Sequence, residues 1–269
     1  MNGAESLVRT LVACGVDTCF ANPGTSEMHF VAALDTVPGM RSILGLFEGV
    51  VTGAADGYAR IADKPAATLL HCGPGLANGL ANMHNGRRAR TMMVNCVGDH
   101  ATFHRPLDAP LTADTEGWAR PVSGWVRTAA AAERLGQDAA AAVQAARSTP
   151  GHIATLILPS DTCWNPGGAV AAPLPVPAAA KVDPFRIAEA ARILRSGAPT
   201  AIILGDRAVR EAGLHLASRP HAPPEFRGWS FPWAVPKARG VSPCRSRHTT
   251  WCRRLSTGST PGTSPPRCG

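Results

Sequence analysis

Glu48 opens the stretch FEGVVTGAADGYARI, Phe47 to Ile61, as a lone carboxylate followed by Gly49, Val50, Val51, Thr52 and Gly53. A helix this rich in glycine is intrinsically weak, so an acid at its head needs a reason. The plainest is a Glu that complements the dipole of a first helical turn. ANPGTSE, Ala21 to Glu27, sets Asn22, Pro23, Gly24 and Thr25 on a strand-to-helix turn, where backbone amides can face an anion. Thr25 and Ser26 can equally cap the helix that follows. His71 ends the apolar run AATLLH, where α/β folds place reactive groups, and its imidazole can relay protons near neutral pH; a hydrogen-bonded structural histidine is the other reading. CGPGLANG is glycine-rich but lacks the GxGxxG spacing of a dinucleotide loop. His100 and His104 read as structural, and Arg87 to Arg90 as a solvated helix end.

The elements that must position these groups alternate regularly. GAESLVRTLVACG has Leu7, Val8, Leu11 and Val12 at helical spacing and ends on Gly15. DTCFA, RSILGLF, AATLLH, TMMVNCVG, SGWVRTA and HIATLILP read as six short strands. Helices are predicted between them, one from Ser26 to about Asp35, others over 48–62, from Gly73 through Ala89, and over AAAERLGQDAAAAVQAAR. Helices between short β-rich runs imply a doubly wound, mostly parallel six-stranded α/β sheet. Residues 166–182 are proline- and alanine-rich and read as a linker. Residues 183–216 give one amphipathic helix stopped by Gly197, the buried strand PTAIILGD and a further helix near Arg207, the opening of a second α/β domain.

From 217 to 269 the composition changes abruptly. The chain carries 27 Lys and Arg against 19 Asp and Glu, a net charge of +8; residues 1–216 hold 18 of each sign, so the whole excess lies in the last segment. That segment has nine prolines, no Ile and no Asp. It is expected to be a disordered basic tail, the product of a coding-frame change near Ala217, with a basic, aromatic-dotted arm for single-stranded nucleic acid as the rival reading. The neutral remainder makes nucleic acid an unlikely partner for the folded part. The eight cysteines form no CxxC pair and are expected to be reduced, buried thiols. No apolar run is long enough to span a bilayer; with no signal peptide legible, a cytoplasmic protein is expected.

FEGVVTGAADGYARI, ANPGTSE, LLHCGPGLANGLANMHNGRRAR and VGDHATFHRPLDAPLTADTEGWARPVSGWV together resemble the N-terminal, pyrimidine-binding domain of thiamine diphosphate enzymes, of the acetolactate-synthase-like large-subunit type, with benzoylformate decarboxylase a near relative. The resemblance covers about residues 3–165, assigned as domain 1–165. It implies that Glu48 hydrogen-bonds N1′ of the cofactor's aminopyrimidine ring. The ring's imino form then activates the cofactor for attack on a 2-keto acid, in carboligation or decarboxylation. It implies that Gly73, Pro74, Asn78 and Asn82 line the pyrimidine and a subunit interface. It also places Asn22 to Thr25 beside the substrate and makes His71 an active-site histidine. Gly49, Gly53 and Gly57 would let their helix approach cofactor and partner closely. The family's diphosphate-binding GDG motif is absent; GDH at Gly98 and GDR at Gly205 do not replace it. Mg²⁺ and the diphosphate are therefore expected from another domain, and no metal-ligand set is expected within this chain. Flavin binding cannot be assigned from the sequence. The expectation is a truncated carboligase or decarboxylase that supplies a pyrimidine half-site and is inactive alone, with a homodimer as the assembly. Alternatives are one subunit of a split enzyme with a separate diphosphate-binding chain, and a non-enzymatic binding protein.

Overall fold

In the computed structural model, residues 1–198, 201–217 and 227–230 are described, all within one compact unit, Met1–Pro236. Helix α1 (Gly3–Ala13) starts with a reciprocal cap: Asn2 accepts the Glu5 amide at 2.8 Å and Glu5 accepts the Asn2 amide at 3.3 Å. Then follow β1 (Thr18–Asn22), α2 (Met28–Thr36), β2 (Arg41–Leu44), α3 (Glu48–Ala62), β3 (Ala66–Leu70), α4 (Cys72–Arg88), β4 (Met93–Asp99) and α5 (Thr115–Ala119). They continue as β5 (Trp125–Thr128), α6 (Leu135–Arg147), β6 (Ile153–Pro159) and α7 (Ser160–Trp164). The first six strands form one sheet in the order β2-β1-β3-β4-β6-β5, and every pairing in it is parallel.

Strand alternation divides the core between two faces. Cys19, Ala21, Leu69, Val94, Cys96 and Leu156 pack beneath α1, α2 and α6 with Leu7, Leu11, Phe30 and Leu135. Phe20, Leu70, Met93, Val97 and Ile157 pack on the other face against Val51, Ala55, Leu76 and Met83 from α3 and α4. The parallel strands are covered on both sides, which accounts for their continuous apolar runs. Three buried polar residues cross the sheet in register: Thr68 Oγ1 donates to Asn95 Oδ1 at 2.7 Å, and Asn95 Nδ2 donates to Thr155 Oγ1 at 3.1 Å.

The ADGYAR residues of α3 anchor it away from Glu48. Arg60 and Thr91 both donate to Asp56, and Tyr58 donates to Asp17 at 3.1 Å. The proposed linker is partly held: Ala171 donates its amide to Thr10 Oγ1 at 3.1 Å, and Gln144 Nε2 donates to the Pro175 carbonyl at 2.7 Å. Helix α8 (Pro184–Leu194) is capped by Asp183, buries no residue and leaves Phe185 and Ile187 exposed. Strand β7 (Ala201–Leu204) and α9 (Glu211–Ala217) follow. The expectation that residues beyond 217 adopt no regular structure needs one correction. A short strand, β8 (Arg227–Ser230), pairs in parallel with β7, because the backbone of an apolar strand edge accepts any extended segment. The rest of the expected tail lies outside the described residues, as do Cys244, Cys252 and Cys268. No helix among the described residues is long and apolar enough to cross a membrane.

Candidate active site

The strand order reverses at β1: the chain steps from β1 outward to β2, then returns past β1 to β3. Such a switch point opens a crevice beyond the carboxyl ends of the two diverging strands. Asn22 ends β1 and pairs with Leu70, the last residue of β3. The Asn22–Thr25 turn and His71 therefore emerge side by side.

Glu48 is the first residue of α3 and is buried, 8% exposed. Asn78 Nδ2, from α4, donates to Glu48 Oε2 at 3.0 Å. A Cβ at Gly75 would stand 3.0 Å from Glu48 Oε1, so the absent side chain keeps that oxygen's surroundings open. Asn82 serves a different group: its Nδ2 donates to the Gly49 carbonyl at 2.7 Å and ties α4 to the first turn of α3. Gly49 and Gly53 leave room for the Phe47 ring and the Asn82 side chain of the same chain, while Gly57 faces open space. Gly73 meets Ala113 and the Trp118 ring; Pro74 and Asn78 are exposed on the first turns of α4.

His71 precedes α4 and is partly open to solvent. Its Nδ1 lies 2.8 Å from Glu27 Oε2, and the same oxygen accepts the Gly24 amide at 2.7 Å. A carboxylate only accepts, so this contact puts an imidazole proton on Nδ1, and in the neutral ring Nε2 then carries the lone pair. A Cβ at Gly24 would fall on the imidazole, and one at Gly98 on Glu27 Oε1. Glycine at both positions is what lets the pair form. Glu27 went unread in the sequence. Its signal was the Gly24-x-x-Glu27 spacing of a capping box, the glutamate reaching back to an amide. Ser26 does not cap α2, contrary to expectation. It sits within a 3₁₀ turn, Thr25–Glu27, and its Oγ accepts from Cys72 Sγ at 3.4 Å. Thr25, exposed, makes no capping bond either.

Cys72 and Asp99 complete the neighbourhood. Burial first, with Glu27 and Asp99 adding to it, pushes the Cys72 thiol up to about 12, although the Ser26 hydroxyl opposes this. Burial also raises Asp99 above the ordinary carboxylate range, against the pull of Arg105, whose Nε lies 3.3 Å from Asp99 Oδ2. His100 and His104 take structural places: His100 Nε2 accepts the Leu111 amide at 3.0 Å, and His104 is exposed beside Phe103. Arg87 and Arg88 are exposed, as a solvated helix end should be.

An α/β domain with a buried carboxyl at a helix head and a histidine across the switch point defines a ligand-binding domain of the doubly wound class. Residues 1–116 match the family described as "Thiamine pyrophosphate enzyme, N-terminal TPP binding domain". A Mycobacterium tuberculosis chain provisionally named acetolactate synthase large subunit IlvX is 60% identical over 219 residues, 81% of this chain and 42% of that one. Benzoylformate decarboxylase of Pseudomonas aeruginosa is 31% identical over 156 residues, 58% of this chain and 29% of the relative. In fold, the chain is similar to the Rhodococcus jostii RHA1 thiamine diphosphate-dependent 4-hydroxybenzoylformate decarboxylase, with a TM-score of 0.72 at 23% identity over 85% of this chain and 47% of that one. The chain thus spans less than half the length of these relatives.

The donors present fit the pyrimidine part of the cofactor: a buried carboxyl, oriented by an amide, beside a cradle that a Cβ would fill. They do not fit Mg²⁺. Among the described residues the one trio of metal-ligating side chains is Glu27, His71 and Cys72, whose nitrogen and sulfur suit softer ions than magnesium, which requires oxygen.

Proposed function

We propose that this chain supplies the pyrimidine side of the active site of a 2-keto acid carboligase or decarboxylase of the acetolactate-synthase-like type, and turns over nothing alone. Glu48 carries the reading, as a buried carboxyl at the head of α3 held by Asn78 at 3.0 Å. When bound, thiamine diphosphate supplies the electron sink for carbon–carbon cleavage or joining. Glu48 would hold the aminopyrimidine side of that cofactor and would give or take a proton at its carboxyl, with Asn78 fixing the carboxyl in register. Gly73 and Pro74 bound the ring. The Asn22–Thr25 turn meets the substrate carboxylate, and His71, its proton placed by Glu27, gives or takes a proton at Nε2.

The diphosphate and Mg²⁺ belong in this reading to a domain other than the one described, contributed by a second copy of a completed chain or by a separate subunit. Support comes from the apolar side chains left exposed around the head of α3: Leu44, Leu46, Phe47 and Val50. The buried thiols fit a reducing, cytoplasmic setting.

The test is turnover of pyruvate and benzoylformate with thiamine diphosphate and Mg²⁺. One arm uses the chain alone; the other fuses residues 1–182 to the remainder of the 60%-identical relative. None is expected from the first and measurable turnover from the second, falling by about 10²–10⁴ with Glu48→Gln. Ordinary turnover by the chain alone, or an undiminished Glu48→Gln fusion, would overturn the reading.

A further inference from the structure

We infer that Glu27, His71 and Cys72 form a binding site for a borderline-soft divalent cation of the Zn²⁺ kind. The three side chains come from three successive places in the crevice: the 3₁₀ turn after β1, the end of β3 and the start of α4. Each offers one donor atom, and the three donors lie within 4.8 Å of one another. Two of the spacings are 2.8 Å, from His71 Nδ1 to Glu27 Oε2, and 3.8 Å, from Cys72 Sγ to Glu27 Oε1. Metal–ligand lengths of about 2.0–2.3 Å put tetrahedral donors roughly 3.3–3.8 Å apart. The measured spacings bracket that range, so enclosing an ion requires the Glu27–His71 pair to open and the three donors to converge on one point.

The site is built rather than superficial. Glu27 and Cys72 are buried at 2% and 0% exposure, while the His71 side chain, 26% exposed, leaves a way in and an open fourth position. A second buried carboxylate, Asp99, bears electrostatically on Cys72, and its Oδ2 accepts no hydrogen bond. Of these two buried acids, Asp99 has the Arg105 guanidinium beside it and Glu27 has His71, so a bound cation would add to the compensation of their charge. The mixed oxygen, nitrogen and sulfur set selects Zn²⁺ or Co²⁺ over Mg²⁺ and Ca²⁺. Proton balance is simple. The ion replaces the hydrogen between Glu27 and His71, whose proton moves to Nε2. The Cys72 thiol releases its proton to solvent as the sulfur–metal bond forms. One proton leaves per ion bound.

This inference is independent of the cofactor reading and is tested on the full chain by metal alone. Co²⁺ added to the purified protein should bind at one equivalent and give a near-ultraviolet sulfur-to-cobalt charge-transfer band, with one proton released per ion. Zn²⁺ should displace it. Cys72→Ser should abolish the band, and Glu27→Gln should weaken binding about tenfold or more. Replacing Cys244, Cys252 and Cys268 together by Ser should leave the band in place. If Cys72→Ser does not fold, His71→Asn, at a partly exposed position, should instead weaken Co²⁺ binding about tenfold or more. A band that survives at Cys72→Ser, a band lost with the other three cysteines, or no binding at about micromolar free ion would overturn the site.

Discussion

The amide of Asn78 and the carboxyl of Glu48 meet at 3.0 Å across the interface of α4 and α3, an exposed donor holding a buried acceptor. The two helices can come this close because α4 is stripped of side chains where they touch. A Cβ at Gly79 would stand 2.9 Å from the Thr52 methyl, much as one at Gly75 would crowd Glu48. Thr52 Oγ1 uses that proximity and donates to the Gly79 carbonyl at 3.1 Å. The glycines that weaken both helices in isolation are thus the condition for fixing the carboxyl.

Asn78→Ala removes one hydrogen bond to a buried carboxyl, worth about 0.5–1.5 kcal/mol net, from an exposed side chain. Turnover of the completed fusion should fall about tenfold or more, while the melting temperature of the chain itself falls by only about 2–4 °C. Equal losses in both would mean that Asn78 supports the helix pair rather than the carboxyl.

Gly98→Ala places a methyl group on Glu27 Oε1. Glu27 is itself fixed by His71 and the Gly24 amide, so it cannot swing aside without breaking both bonds. A loss of about 3 kcal/mol in chemical denaturation is expected. Glu27→Gly combined with Gly98→Ala should recover part of it. A fully stable single variant would show that the 3₁₀ turn is free to move.

The fold was legible because its periodicities are strong. Glu48–Ala62 was bounded by an acid at its head and Asp63, in left-handed backbone, at its end, and all six strands of the sheet were apolar runs between turns. The order in which they pair was not legible, since parallel crossovers leave no local trace. The site was half legible. Glu48, Asn78 and His71 carry distinctive neighbours, whereas the bond from Asn82 to the Gly49 carbonyl leaves no trace in the sequence. Glu27 was hidden because an acid in a first helical turn is commonplace. Only the tertiary approach of β3 and β4, with glycine at 98, turns it into the buried partner of His71.

Asp17 gives a pH signature. Its carboxyl accepts from Lys64, Thr18 and Tyr58, and the Lys64 bond above all holds it below the ordinary value of 3.8. A folded pKa below the unfolded one means the stabilisation is complete above about pH 4 and is lost as pH falls through 3.8 toward the folded value. The pair is half exposed, so solvent screening limits it to about 0.5–1 kcal/mol. Asp17→Asn should therefore melt about 2 °C lower than the parent at pH 7, and the two curves should converge toward pH 3. A constant gap at every pH would assign the loss to packing rather than charge.

Thiol reactivity checks the core directly. Cys14, Cys19, Cys72, Cys96 and Cys163 are all buried and unpaired with one another as disulfides. Burial pushes Cys19, Cys72 and Cys163 up to about 12 and Cys96 well above its usual value. Only the thiolate attacks an alkylating reagent, so at pH 8 these sulfurs are both unionised and out of reach. Brief iodoacetamide treatment of the native chain, read residue by residue by mass spectrometry, should leave all five unmodified, and the same treatment in denaturant should modify every one. Cys72 separates steric from chemical protection: a bare ion can enter past the His71 ring where a carboxamidomethyl group cannot. Native alkylation at Cys72 at the denatured rate would mean that the crevice at the end of β3 stands open, and the buried placement of Glu27 beside it would fall with that result.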